Sequence, residues 1–381
     1  MKNSPFIYGS TVSRSAFTDR EKEIKKLTGN LLAGINTMII SPRRWGKSSL
    51  VEKVTGTIRT EHQDIRIAMI DLFTVNGEEE FLEKFANEVL RATASKWDEW
   101  VRDSKKFFRS VVPKIRVSVD PVNSYTISFD WEELRKHTDE ILNLPELIAK
   151  EKKINLIICL DEFQVLASFK GYATLEKRMR SAWQRHKSAT YCIYGSQRHM
   201  MSDIFNNPSK PFYRFGDIIL LQKIGRQDWI DFIRTGFSNN GKNISDEESG
   251  MIADIMKCHP WYVQQLSHYT WNLTRKGVTK THIRMALEEV ISANLPLYQK
   301  ETGNMSSTQL NLLKAVAAGE KQLTSTRVMN DYHLGTPRNV IKNKEMMINN
   351  DIMGESEGAF YFLDPVFELW FRRVFLNERM M

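Results

Sequence analysis

Two short stretches carry residue types suited to a phosphorylated ligand. In the first, the apolar run Met38-Ile39-Ile40 gives way to Ser41-Pro42-Arg43-Arg44-Trp45-Gly46-Lys47-Ser48-Ser49, and helix formers follow from Leu50. A lysine and a hydroxyl behind a glycine, set between a strand and a helix, form a phosphate-binding loop. Backbone N–H groups at the helix start face the anion, and the helix dipole favours negative charge there. Lys47 is expected to reach the terminal phosphates and the Ser48 hydroxyl to coordinate Mg²⁺. The pattern G-x-x-x-x-G-K-[ST] opens on glycine, and Ser41 stands in that place.

The second stretch is Ile154-Asn155-Leu156-Ile157-Ile158-Cys159-Leu160-Asp161-Glu162-Phe163-Gln164. A near-continuous apolar run reads as a strand buried on both faces. It ends in two adjacent carboxylates. Asp161 would hold the metal, directly or through water, and Glu162 would orient and polarise an attacking water.

Further candidates follow along the chain. Ala189 to Gly195 reads as another strand, and Ser196 or Gln197 at its tip could sense a γ-phosphate. Arg198 reaches phosphate or caps the loop. Arg214, in Phe212-Tyr213-Arg214-Phe215-Gly216, is a candidate cation near the γ-phosphate, in cis or across an oligomer interface, or a member of a structural ion pair. Tyr8 and Phe17, ahead of the first strand, either lie against a nucleotide base or pack a helix onto the sheet.

These residues need a parallel sheet to hold them. Asp19 is expected to cap a helix from Arg20 to Leu32, Thr37–Ile40 to form the loop's strand, and Ser48–Arg59 its helix. Ile65–Leu72 reads as a strand and Glu79–Lys96 as a helix, so strands and helices alternate. Residues 97–131 interrupt that rhythm with a basic, phenylalanine-containing segment and a hairpin around Pro121-Val122-Asn123-Ser124. Helices at Glu132–Lys153 and Leu175–His186 and a last strand at Ile218–Leu221 complete the core, residues 1–222.

From Gln222 strands give way to helices at 227–237, 245–257, 262–275 and 279–294, a lid over residues 223–304. Ser245 with Glu248 forms a capping box, and Pro260 in Cys258-His259-Pro260-Trp261-Tyr262 suits a helix start. Residues 305–381 carry helices at 307–318, 325–332 and 336–349 and a hairpin around Glu355-Ser356-Glu357-Gly358, which describes a winged helix. Its third helix holds Arg338, Lys342 and Lys344, so groove reading is conceivable. The segment from Met305 onward, however, has nine basic and nine acidic residues. That balance favours a protein-contact or autoinhibitory winged helix over a DNA reader.

With 381 residues, 41% hydrophobic and 26% charged, the chain has the balance of a globular protein with two or three domains. The start Met1-Lys2-Asn3-Ser4-Pro5 is not a signal peptide, and no apolar run approaches a membrane span. Cys159, Cys192 and Cys258 lack metal-ligand spacing and read as reduced core thiols of a cytoplasmic protein. The net charge of +8 suggests an anionic partner. Six basic residues and one acidic residue between Arg102 and Arg116 are the densest patch. It reads as a nucleic-acid surface or, more commonly, a solvated insertion.

Several residue sets together resemble the archaeal-type ATPase family of the STAND class, P-loop relatives of the AAA+ proteins. They are Phe17-x-x-Arg20-Glu21-x-Glu23-Ile24-x-x-Leu27, the loop Ser41–Leu50, Leu160–Gln164, Gly195-Ser196, His259-Pro260-x-Tyr262-x-x-Gln265 and Phe362-Leu363-Asp364-Pro365-Val366-Phe367-Glu368-Leu369-Trp370. The resemblance implies an α/β P-loop ATPase core, a helical lid and a winged helix, with ATP and Mg²⁺ bound between core and lid. It implies that Pro260 lies near adenine, that the loop residues Ser41–Ser49 hold the nucleotide, and that serine at position 41 is ordinary. Family members often place glycine before His-Pro, where this chain has Cys258. Some carry a C-terminal nuclease-like domain, which is not expected here. The expected activity is Mg²⁺-dependent ATP hydrolysis driving a molecular switch, with Glu162, Lys47 and Arg214 as catalytic groups. The alternative is a nucleotide-gated adaptor or DNA-binding regulatory module with little turnover. Expected partners are a protein, nucleic acid, or further copies in a nucleotide-dependent oligomer, and no membrane.

Overall fold

The computed structural model describes residues 3–9, 18–94, 116–119, 125–128, 137–356 and 358–378. The chain divides into two compact units: Arg20–Ser41 with Lys47–Leu221, and Met1–Asp19 with Pro42–Gly46 and Gln222–Met381.

The first unit opens with α1 (Glu21–Leu32), β1 (Thr37–Ile40), α2 (Lys47–Glu61), β2 (Ile65–Asp71) and α3 (Glu78–Thr93). The antiparallel hairpin β3 (Arg116–Val119) and β4 (Tyr125–Ser128) follows, as its alternation predicts. Next come α4 (Thr138–Lys152), β5 (Asn155–Asp161), a 3₁₀ turn at Phe163–Ser168, α5 (Tyr172–Trp183), β6 (Ala189–Gly195), α6 (Arg198–Asn206) and β7 (Asp217–Leu220). The five long-range strands form one parallel sheet in the order β2-β5-β6-β1-β7. β1, β5 and β6 are sealed on both faces. Ile158, Leu160 and Ile193 are fully buried with Phe81, Phe85 and Leu142 from the helices. Their continuous apolar runs follow from that two-sided cover.

Asp19 does not cap α1. Asp19 and Arg20 both have positive φ, 54° and 77°, and Arg20 is the N-cap residue without a side-chain cap bond. Two consecutive left-handed residues turn the chain in before the helix, and Arg20 instead pairs with Glu23 at 3.1 Å. Arg198–Asn206, for which the sequence gives no expected element, form α6. Phe17, Arg102–Lys114 with Phe107 and Phe108, and 132–136 of the expected fourth helix lie outside the described residues.

The second unit contains α7 (Arg226–Ser238), α8 (Asp246–Ile255), α9 (Pro260–Leu273), α10 (Lys280–Gly303), α11 (Ser307–Ala317), α12 (Thr326–Asp331), α13 (Pro337–Asn349), hairpin β8 (Met353–Ser356) and β9 (Ala359–Phe362), and α14 (Pro365–Phe375). Ser245 and Glu248 make the expected capping box, and Pro260 is the first residue of α9. Helix α10 runs past Pro296, where the sequence reading stopped at 294. An internal proline costs about 3 kcal/mol. The buried face of α10 continues beyond it through Tyr298 and Thr302. Tyr298 packs on Phe367 and Trp370 of α14, with ring centroids 5.1 and 5.6 Å away. Helices α7–α10 and the elements after them thus share one apolar core, with Trp229, Ile252, Leu266, Val290, Leu313 and Phe371 in it.

Candidate functional site

In the sheet unit, β1 delivers the chain to Ser41, which is fully buried, and α2 opens at Lys47, also buried. The Ser48 hydroxyl donates to Asp161 Oδ2 at 3.0 Å. Asp161 ends β5, opposite Asp71 of β2 in register. Burial and the adjacent Glu162 charge push the Asp161 carboxyl up to about 6, against the pull of Ser48 and Lys47. The donor set fits magnesium: one hydroxyl and one carboxylate oxygen, hard ligands that leave room for water and phosphate oxygens. Among the described residues no cluster of three or more His, Cys, Asp or Glu offers an all-protein metal cage.

Glu162 follows with φ 53°, a left-handed turn that swings its side chain off the strand line. Its Oε2 accepts from the Ser196 hydroxyl at 2.8 Å and the Ser196 N–H at 3.3 Å. It also accepts from the Gln164 amide. The structure therefore brings Lys47, Ser48, Asp161, Glu162 and Ser196 together at the C-terminal ends of β1, β5 and β6. In open α/β sheets ligands sit at that end. Arg214 is not among them. It is exposed, at φ 54°, with its guanidinium 5.2 Å from the Tyr213 ring centre. The competing structural ion pair is also not seen among the described residues. The side chain of Arg198 lies outside the described residues, and Gln197 is the N-cap residue of α6.

The segment Pro42–Gly46 packs with the second unit. Gly46 has φ +88°, with nothing within 4 Å of where a Cβ would stand, so backbone conformation alone asks for glycine. Arg43 is exposed. Arg44, at φ 63°, donates to the Tyr262 hydroxyl at 3.0 Å and stacks 4.6 Å over Trp261. Tyr262 in turn donates to Asp364, whose Oδ2 also accepts from Tyr298 at 3.1 Å. Trp45 meets the ring of His259 edge-on at 6.2 Å. Burial, with Lys223 and Arg44 nearby, holds His259 down to about 3; it stands at the N-cap position of α9 without a side-chain cap bond.

Tyr8 reaches the same helix. Its ring lies 6.1 Å from Trp261 and 5.3 Å from His268, and the Ile7 N–H donates to Gln264 at 2.9 Å. Burial and Tyr269 push the Tyr8 hydroxyl up to about 12. Tyr8 therefore lies along α9, against Trp261 next to Pro260 and against His268 two turns further on. Sequence reasoning gave no role to Gln164, Tyr298 or Asp364. An Asp-Pro step at a helix start signals a cap, but nothing local signals the tyrosines that converge on it.

A family model described as an ATPase domain predominantly from Archaea matches residues 17–266, and a winged-helix-domain model matches 296–373. The chain belongs to this archaeal-type P-loop ATPase family. No curated protein matches it. Among solved structures it is similar to the Walker-type ATPase PABY2304 of Pyrococcus abyssi, with TM-score 0.67 and 18% identity over 97% of this chain and 99% of that one. It is also similar to the Aeropyrum pernix ORC2 protein in ADPNP–ADP complexes, with TM-score 0.55 and 12% identity over 98% and 100%. A third similar structure is the Aeropyrum pernix ORC1 protein in complex with DNA, with TM-score 0.50 and 12% identity over 96% and 94%. At these identities the likeness is one of fold. No helix among the described residues is long and apolar enough to cross a membrane.

Proposed function

We propose that the chain is a Mg²⁺-dependent ATPase acting as a nucleotide-driven switch. The observation that carries this reading is the Ser48–Asp161 contact at 3.0 Å with Glu162 adjacent and clamped. Lys47 would bind the terminal phosphates, and Ser48 with Asp161 would hold the metal. Bound magnesium would neutralise phosphate charge. Glu162 takes the proton from the attacking water, and the Ser196 hydroxyl would turn to sense the γ-phosphate. Loop residues Ser41, Pro42, Arg43, Arg44, Trp45, Gly46 and Ser49 would shape the phosphate seat, with Tyr8 and Pro260 toward the base. Arg214, unpaired among the described residues, would serve as a cation presented to phosphate in cis or in trans.

The switch reading draws on the Arg44–Tyr262–Asp364 chain of hydrogen bonds. Any change in the loop that moves Arg44 acts on the carboxylate capping α14. We read residues 1–222 as ATPase core, 223–304 as lid and 305–381 as winged helix, in the STAND manner and with a cytoplasmic setting. A DNA-binding or adaptor role is the second reading, supported by the exposed Arg338 and Lys342 on α13. The test is ATP binding and turnover in two variants. Lys47→Ala should lose binding. Glu162→Gln should bind ATP without hydrolysing it, and normal turnover in that variant would overturn the assignment.

A further inference from the structure

We propose that Gln164 is a positioning residue that aims Glu162, and that Gly195 is glycine to make room for it. The inference rests on the reading of Glu162 as the group that activates water. Gln164 is the second residue of the 3₁₀ turn just past β5 and is 5% exposed. Its Nε2 donates to Glu162 Oε2, the oxygen that also takes both Ser196 donors. A carboxylate only accepts, so the amide nitrogen must face it. Three donors on one oxygen fix the carboxylate plane and leave Oε1, which has no partner among the described residues, to accept a proton from water.

Two further observations set this glutamine apart from ordinary packing. Its Oε1 is buried without a hydrogen-bond partner. An orphaned buried carbonyl is unfavourable, and an apolar residue of the same size would avoid it. The amide is tolerated because its other end meets Glu162. Gly195, moreover, does not have positive φ. A Cβ there would stand 1.9 Å from Gln164 Oε1 and 2.9 Å from Met201 Sδ. The end of β6 is therefore cut back to seat the amide.

The Ser196 hydroxyl has a single hydrogen. If Ser196 turns it to a γ-phosphate, one donor leaves Glu162. The Gln164 amide and the Ser196 N–H stay. Gln164 thus keeps the carboxylate aimed in either state.

The test is steady-state ATP hydrolysis by the full chain, with nucleotide affinity and thermal midpoint read in parallel. Gln164→Leu keeps volume and removes the donor. It should lower kcat roughly 10- to 100-fold, with KM, affinity and thermal midpoint unchanged or the midpoint raised. Gln164→Asn, one methylene short, should show the same split and carries the test if the leucine variant fails to fold. In a Glu162→Gln background Gln164→Leu should cost nothing further, because the group it aims is gone. Wild-type kcat in both Gln164 variants, a loss confined to KM, or full additivity with Glu162→Gln would overturn the positioning role while leaving Glu162 in place. Normal turnover by Glu162→Gln alone would overturn both assignments.

Discussion

The Tyr262 hydroxyl donates to the carboxylate of Asp364, and that carboxylate caps helix α14 with its other oxygen. Asp364 Oδ1 accepts from the N–H groups of Val366 at 2.8 Å and Phe367 at 2.9 Å. Burial pushes its carboxyl up, and these four hydrogen bonds pull it back. One side chain thereby opens α14, anchors a tyrosine each from α9 and α10 and, through Tyr262, holds an arginine of the phosphate loop.

Removing that carboxylate should be costly. Asp364→Ala strips a helix cap and leaves two buried tyrosine hydroxyls without their acceptor. A loss of about 2–4 kcal/mol is expected, read from the urea midpoint. Asp364→Asn, which retains an acceptor oxygen for the cap, should lose about half as much.

Tyr262→Phe separates the two ends of the relay. The ring stays packed, so stability should fall by only about 1–2 kcal/mol. Arg44 loses its acceptor, and ATP affinity should weaken several-fold. Unchanged affinity in a folded Tyr262→Phe protein would uncouple Arg44 from nucleotide binding.

Tyr8 can be tested for base contact. Tyr8→Ala should weaken ATP binding about two- to tenfold and narrow the preference for ATP over GTP. A lowered thermal midpoint with unchanged nucleotide affinity would assign Tyr8 to packing on α9 alone.

His186 predicts an acid limit to stability. Its Nδ1 lies 2.9 Å from the Tyr191 hydroxyl and its Nε2 lies 3.2 Å from Asn143 Oδ1. Burial, with Lys150 and Arg185 nearby, lowers it to about 4 despite Glu146. The unfolded chain therefore binds a proton below about pH 6.5 that the native chain takes up only near pH 4. Stability should fall by about 1–3 kcal/mol as pH drops through that window. His186→Gln should flatten this part of the urea midpoint profile, and an unchanged profile would reject the assignment.

DNA binding through the winged helix would show as a salt slope. If Arg338 and Lys342 meet phosphates, their joint replacement by alanine should reduce the slope of log affinity against log salt by about 2. Absence of any slope in the wild type would leave α13 to protein contacts.

Much of the sheet and the phosphate chemistry was legible because it is local. The Ile-rich run into Asp161-Glu162 and the Gly46-Lys47-Ser48 step each carry their meaning within ten residues. Distant relations left weaker marks. Nothing near Arg44 points to Tyr262, and nothing near Gly195 announces the Gln164 amide. Asp19 failed as a cap because backbone turns at 19 and 20 overrode side-chain preference. Pro296 did not end α10 because tertiary burial of Tyr298 outweighs one lost backbone bond.

The order β2-β5-β6-β1-β7 has a consequence for how the protein is born. The strand that delivers the phosphate loop is made early, yet Thr37 pairs with Cys192 on one side and Asp217 on the other. Until the ribosome has released the chain through Gly195, β1 has no neighbour, and its second one waits for Leu220. The strand that carries the phosphate loop is thus among the last of the sheet to be enclosed, although it is the first to be made.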